Sequence, residues 1–133
     1  MNTTAKPAAA LASSPRDNPC YGIDPNVASL NVFADDEHSY LLPYAQLLYA
    51  EMIPNRALEK HADAPPEKLV ICFAVAEVTL LGSGLQAVAR KIQKCDLNFV
   101  KAVDRRFAAT LKTHVAAVEV NFTKAEVMNT GRR

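Results

Sequence analysis

The sequence predicts an α+β domain built on a mainly antiparallel sheet with one principal helix. Three observations predict it. Short apolar runs, several alternating with polar residues, recur between turn-forming clusters, the pattern of neighbouring strands. The clearest helical spacing falls in one place, at residues 83–95. No run reaches the roughly 18 apolar residues that a membrane span requires. Composition agrees: 50% of the 133 residues are hydrophobic and 22% are charged, a balance suited to one globular domain. About six strands are expected, in an open sheet or one curled into a partial barrel.

Residues 1–26 are rich in Ala, Ser, Asn, Thr and Pro, with prolines at Pro7, Pro15, Pro19 and Pro25. Few large apolar side chains offset the entropy of ordering them, so a flexible tail is expected. Tyr21 and Ile23 are placed to pin its C-terminal end. The domain is expected over residues 27–124, and residues 125–133 as a frayed end. Leu30, Val32 and Ala34 alternate as in a strand, Asp35 to His38 make a polar turn, and Ser39 to Tyr44 resume an extended pattern. The two runs form a β-hairpin. Pro43 lacks a backbone N–H and belongs at an edge or strand end. Residues 44–53 fit a short helix or a bulged strand; the strand is preferred because Pro43 and Pro54 leave little length for a helix.

Residues 54–67 read as a loop punctuated by Pro54, Asn55, Asp63, Pro65 and Pro66. Residues 68–76 are apolar on nearly both faces, which places that strand at the sheet centre. Residues 78–81 give another strand that ends at Gly82. Ser83 and Gln86 match an S-x-x-Q capping box opening the helix. Leu85, Val88, Ala89 and Ile92 share one helical face, while Arg90, Lys91, Gln93 and Lys94 face water. Leu97, Phe99 and Val103 suggest a further strand, residues 104–114 are weakly helical, and Val118, Val120 and Phe122 close the chain with a strand. One helix covers one face of such a sheet. The other face, if apolar, favours a dimer or larger homo-oligomer that covers it.

Net charge is +1, but it is unevenly spread. Residues 1–88 carry 5 basic and 10 acidic groups; residues 89–133 carry 10 basic and 4 acidic groups. The low total argues against a dedicated nucleic-acid binder. Arg90, Lys91 and Lys94, with Lys101, Arg105 and Arg106, suit an acidic protein partner or charge-matched self-association. Tyr40, Tyr44 and Tyr49 crowd one stretch, and tyrosine suits half-buried interfaces as well as sheet edges. Cys20, Cys72 and Cys95 form no C-x-x-C pair and no ligand-spaced set with the three histidines, so no metal site is expected. Cys72 lies in an apolar run and is expected to be buried. An odd cysteine count and the lack of a signal-peptide pattern point to the cytoplasm.

The sharpest motif is Gly82-Ser83-Gly84-Leu85-Gln86-Ala87, a G-x-G-x-x-A pattern between strand and helix. Such glycines let an anion approach a helix N-terminus, and Asp104 stands where a ribose-binding acid would. The same glycines also serve as a strand exit and a helix entry. Hairpin pairing of the preceding strand and the short following chain disfavour a dinucleotide domain, so no cofactor is expected. Asp35, Asp36, Glu37 and His38 read as a solvated turn rather than a cation site. No Ser or Cys occupies a nucleophile elbow.

The spacing Pro43-Tyr44-x-x-Leu47-x-Tyr49-Ala50-Glu51, then Leu69-x-Ile71-x-Phe73, then Val78-x-Leu80-x-Gly82-x-x-Leu85 resembles a small bacterial family of unknown function. The resemblance covers about residues 30–103. It implies a strand-to-helix junction at Gly82 and Leu85 and brings no catalytic residues. The expected function is a non-enzymatic binding or assembly module acting as a homo-oligomer, a dimer first. The alternatives are a phosphate- or nucleotide-ligand binder using Gly82, Ser83 and Gly84, and a small enzyme with a cleft between protomers.

Overall fold

The structure, a computed structural model, describes residues 18–56, 60 and 63–123. Among them, eight strands form two four-stranded sheets around one helix. The strands are β1 (Tyr21–Ile23), β2 (Ser29–Phe33), β3 (Ser39–Pro43), β4 (Leu47–Pro54), β5 (Glu67–Phe73), β6 (Ala76–Ser83), β7 (Leu97–Lys101) and β8 (His114–Phe122). The helix, α1, spans Gln86–Gln93. The first sheet has the order β1-β7-β2-β3 and the second the order β4-β5-β6-β8. All neighbours are antiparallel except β2 and β7, which run parallel with Val32 opposite Val100.

The α+β class with largely antiparallel pairing therefore holds. The strand number and the single sheet do not: eight strands divide into two sheets, and no barrel closes. β1 is an added element and β8 is longer than expected, and both differences lie where the sequence is quiet. β1 falls inside residues 1–26, the segment expected as a tail, and Tyr21 is buried there against β7. β8 begins at His114, four residues before the alternating Val118 and Val120 that signal it. The stretch expected to be weakly helical contributes a 3-10 turn at Arg105–Phe107. Residues 1–17 and 124–133 lie outside the described residues, so the tail expectations there concern other parts of the chain.

Alternation explains how both sheets feed one core. On β5, Leu69, Ile71 and Phe73 are buried, while Lys68, Val70 and Cys72 stand half-exposed on the other face. Val78 and Leu80 of β6 and Val118 of β8 continue the inner face. Leu30, Val32, Leu42, Leu97 and Val100 meet them from the first sheet, and Leu85, Val88 and Ile92 from the helix segment. Each such side chain contributes about 2 kcal/mol by leaving water. The helix touches β4 of one sheet and β7 of the other, so it bridges the two sheets.

The helix is shorter than residues 83–95, and its cap differs. Ser83 remains in β6, paired with His114, so its hydroxyl caps nothing. Gly84 then turns the chain at φ +63°. The Leu85 amide donates to the Glu67 carboxylate at 2.8 Å, from the start of β5. A tertiary contact thus satisfies a donor that the sequence assigns to a local box. No helix among the described residues is long and apolar enough to cross a membrane.

Candidate functional site

The Gly82-Ser83-Gly84 junction is built by close backbone approach. A Cβ on Gly82 would collide with the His114 carbonyl oxygen, and one on Gly84 with the Lys112 carbonyl oxygen. Both glycines are required by the neighbouring chain, with no ligand needed to explain them. Thr113 Oγ donates to the Gly84 carbonyl at 2.9 Å and fastens the junction. At the helix entrance, the Glu67 carboxylate already accepts from Leu85. An incoming anion would meet that negative charge.

Folding does bring Gly82 and Ser83 beside residues far away in sequence. With Arg105, His114, Asp63 and Pro65 they line a small cavity of about 170 Å³. His114 is buried, and its Nε2 lies 2.8 Å from the Val103 carbonyl and 3.2 Å from that of Asp104. Carbonyls only accept, so Nε2 carries the proton, and the ring ties the start of β8 to the Val103–Asp104 stretch that follows β7. The Arg105 guanidinium is turned onto the Asp63 carboxylate at 3.3 Å and the Asp63 carbonyl at 3.1 Å. Two wider hollows adjoin along β6 and β8, each about 420 Å³. Leu81 and Ala117 line both, with Asp35, Asp36 and Glu119 at one end and Val103 and Asp104 at the other. Among the described residues no group of three His, Cys, Asp or Glu is placed to hold a metal ion.

The three tyrosines have separate settings. Tyr44 begins the 3-10 turn Tyr44–Gln46, and its hydroxyl donates to the Leu97 carbonyl at 2.7 Å, joining the β3–β4 connection to β7. Burial pushes its phenol well above the ordinary range. Tyr40 packs edge-on to Phe122, ring centroids 5.0 Å apart, and stacks beside His38 at 6.1 Å. Tyr49 is exposed on β4 beside Cys72, whose hydrogen bond raises the phenol above its ordinary value. Cys72 is not buried as expected, because its side of β5 is the outer face. The buried thiol is Cys20, whose sulfur accepts from the Val115 amide at 3.3 Å and is pushed up by burial.

The basic residues divide as well. Arg90, Lys91 and Lys94 lie at the end of α1, with Arg90 and Lys94 exposed. Arg105 and Arg106 belong to the 3-10 turn that packs on β8, where Arg106 sits over the Phe107 ring at 5.2 Å.

The most exposed apolar surface lies on consecutive edge strands. β3 ends one sheet and β4 the other, joined by the 3-10 turn. Leu41 is 69% exposed, Leu48 63%, Tyr49 55% and Met52 39%. Leu48 projects where a bulge shifts the register between Leu47 and Tyr49. The outer face of the second sheet continues from β4 through Ile53, Val70 and Leu81, which are half-exposed.

Leu41 was not singled out from sequence, and neither were the anchoring roles of Asp35 and Glu67. The legible signal for an edge or strand end was Pro43, which has no backbone N–H to give and closes β3. Asp35 and Glu67 carry no local signal, because their partners lie 83 and 18 residues away. Comparison with protein-family models, with curated proteins and with solved structures finds no match, so the reading of function rests on this geometry.

Proposed function

We propose that this protein is a non-enzymatic binding or assembly module that works as a homo-oligomer. The observation that carries it is the exposed apolar margin of β3 and β4, with Leu41, Leu48, Tyr49 and Met52 in water. Scattered single apolar residues are ordinary on a surface, but a run of them along an open sheet edge is a pairing template. The half-exposed outer face of the second sheet adjoins that margin and extends the surface a partner would cover. Arg90, Lys91 and Lys94 give α1, which touches β4, a basic end that suits an acidic partner surface.

Native mass spectrometry beside the denatured mass tests this reading. A dimer or larger species with no added mass supports it. A monomer, or a species carrying extra mass, overturns it in favour of a ligand binder or an enzyme. Charge reversal at Arg90, Lys91 and Lys94 is expected to weaken self-association or partner binding, and unchanged association would remove the helix from the interface. Gly84 is unsuited to testing a ligand site, because any side chain there meets the Lys112 carbonyl and disturbs the fold first.

A further inference from the structure

We infer that the outer face of the second sheet receives the basic end of α1 from a second copy. The inference rests on the assembly reading and names the two surfaces that meet. Strand register lays out the first of them. Glu51 of β4 stands opposite Val70 of β5, Val70 opposite Thr79 of β6, and Thr79 opposite Glu119 of β8. The neighbouring row is Tyr49, Cys72, Glu77 and Asn121. Successive side chains alternate between faces, so both rows lie on the side turned away from the buried Ile71, Val78 and Val118. Glu51, Glu77 and Glu119 are exposed, and none makes an ion pair among the described residues. Besides the hydrogen bond and charge of Cys72, the carboxylates of Glu51 and Glu77 push up the Tyr49 phenol that stands among them. Lys68 is the only lysine or arginine in the four strands. It lies four residues along β5 from Cys72, about 13 Å away, so this part of the face is acidic.

The face is also hollowed beside Glu119. Thr79, Leu81, Ala117 and Glu119 border the recess of about 420 Å³ that Asp35 and Asp36 close. Asp35 is committed to the Val118 amide and Asp36 to His38, which leaves Glu119 free. A recess with an apolar floor and a carboxylate rim suits a long aliphatic cation, its stem on Leu81 and Ala117 and its head at Glu119. Such cations stand unpaired on the same chain. Arg90 and Lys94 are exposed on the last turn of α1, with Lys91 half-exposed between them. None of the three makes an ion pair among the described residues. Residues four apart on a helix have Cβ atoms about 6 Å apart. Glu77 and Glu119 are diagonal neighbours on paired strands, about 7 Å apart. One helical turn can therefore set Arg90 on one carboxylate and Lys94 on the other. The chain's own helix is barred from doing so, because Val88 and Ile92 hold α1 in the core, on the opposite side of the sheet. The uneven charge of the chain thus falls on two separate surfaces, while a net charge of +1 lets copies meet without strong mutual repulsion.

Charge-swapped variants of the full chain test the pairing. Glu77→Lys with Glu119→Lys reverses the face, and Arg90→Glu with Lys94→Glu reverses the helix end. All four positions are exposed, so the far-ultraviolet spectrum and the urea midpoint should stay close to those of the wild type. By sedimentation at low salt, each variant alone is expected to associate about a hundredfold more weakly than the wild type. Mixed in equal amounts, the two should associate as tightly as the wild type, because each reversed surface then meets its opposite. Wild-type association should also weaken as salt rises from about 50 mM to about 500 mM. If the wild type associates and either variant associates equally well, this contact is overturned and the assembly reading stands. A mixture that stays weak overturns it too, and gives the acidic face to a basic surface other than α1. A wild-type monomer at high micromolar concentration overturns both the contact and the assembly reading.

Discussion

The two sheets differ in how they are assembled. The second is three-quarters meander: β4, β5 and β6 follow one another as hairpins, and only β8 arrives from far along the chain. The first is woven from distant pieces, with β7 inserted between β1 and β2 and parallel to β2. The woven sheet ends in short strands, three residues in β1 and five in β3. The meander ends in the eight-residue β4, which leaves an open margin. Local hairpins form cheaply, but they place an early strand at the outside, with no later strand beside it among the described residues.

Glycine substitutions break this comparison most sharply. Gly82→Ala, in the meander, drives a Cβ into the His114 backbone, which has no room to retreat. A loss of about 4 kcal/mol, or no folding, is expected in urea unfolding. Gly22→Ala, in the woven sheet, meets only the Phe99 ring, which can swing aside. About 1 kcal/mol is expected there. Equal losses would show that the two sheets are equally rigid.

Next in size is Asp35→Ala. Asp35 accepts from the Val118 amide at 3.1 Å and gives its own amide to the Val118 carbonyl at 3.0 Å, so it fastens the β2–β3 turn to β8. Removing the carboxylate is expected to cost about 1.5 kcal/mol, read by the same unfolding. No change would mean that the sheets hold together without this clasp.

Tyr44→Phe removes the hydroxyl that joins the β3–β4 connection to β7, with an expected loss of about 1 kcal/mol at neutral pH. The fold holds this phenol protonated above its ordinary value, whereas an unfolded tyrosine ionises near about 10. The hydroxyl's contribution is therefore full below about pH 10 and is lost as pH rises beyond it. The stability gap between wild type and Tyr44→Phe should narrow on that side, and a gap that stays constant would discount the bond. The smallest effect is expected from Arg105→Ala. Its ion pair with Asp63 is exposed, so under about 0.5 kcal/mol should be lost.

Legibility followed the same division. The β2–β3 hairpin, β5 as an interior strand, and the approximate extent of β4 and β6 were readable because alternation and turn residues are local signals. β1 was not, since Tyr21-Gly22-Ile23 has no strand pattern until β7 lies beside it. The split into two sheets was equally hidden: it depends on β7 joining β2 and not β6, a choice made between chain-distant partners. At the candidate surface, Tyr49 and the prolines around β4 were legible. The sequence grouped Tyr40 and Tyr44 with Tyr49 because they are near in the chain, but each is committed to a different contact.

The clasp at Asp35 also governs how far an assembly can grow. The outward edge of β8 is occupied at Val118 by Asp35 and at Val115 by Cys20 and Val103. The second sheet therefore has one margin occupied at two positions on β8 and, among the described residues, one margin with no strand beside it on β4. A strand ribbon with two open margins adds copies without limit and becomes a fibre. An assembly through this sheet would be blocked at Val115 and Val118, where the backbone groups are already taken.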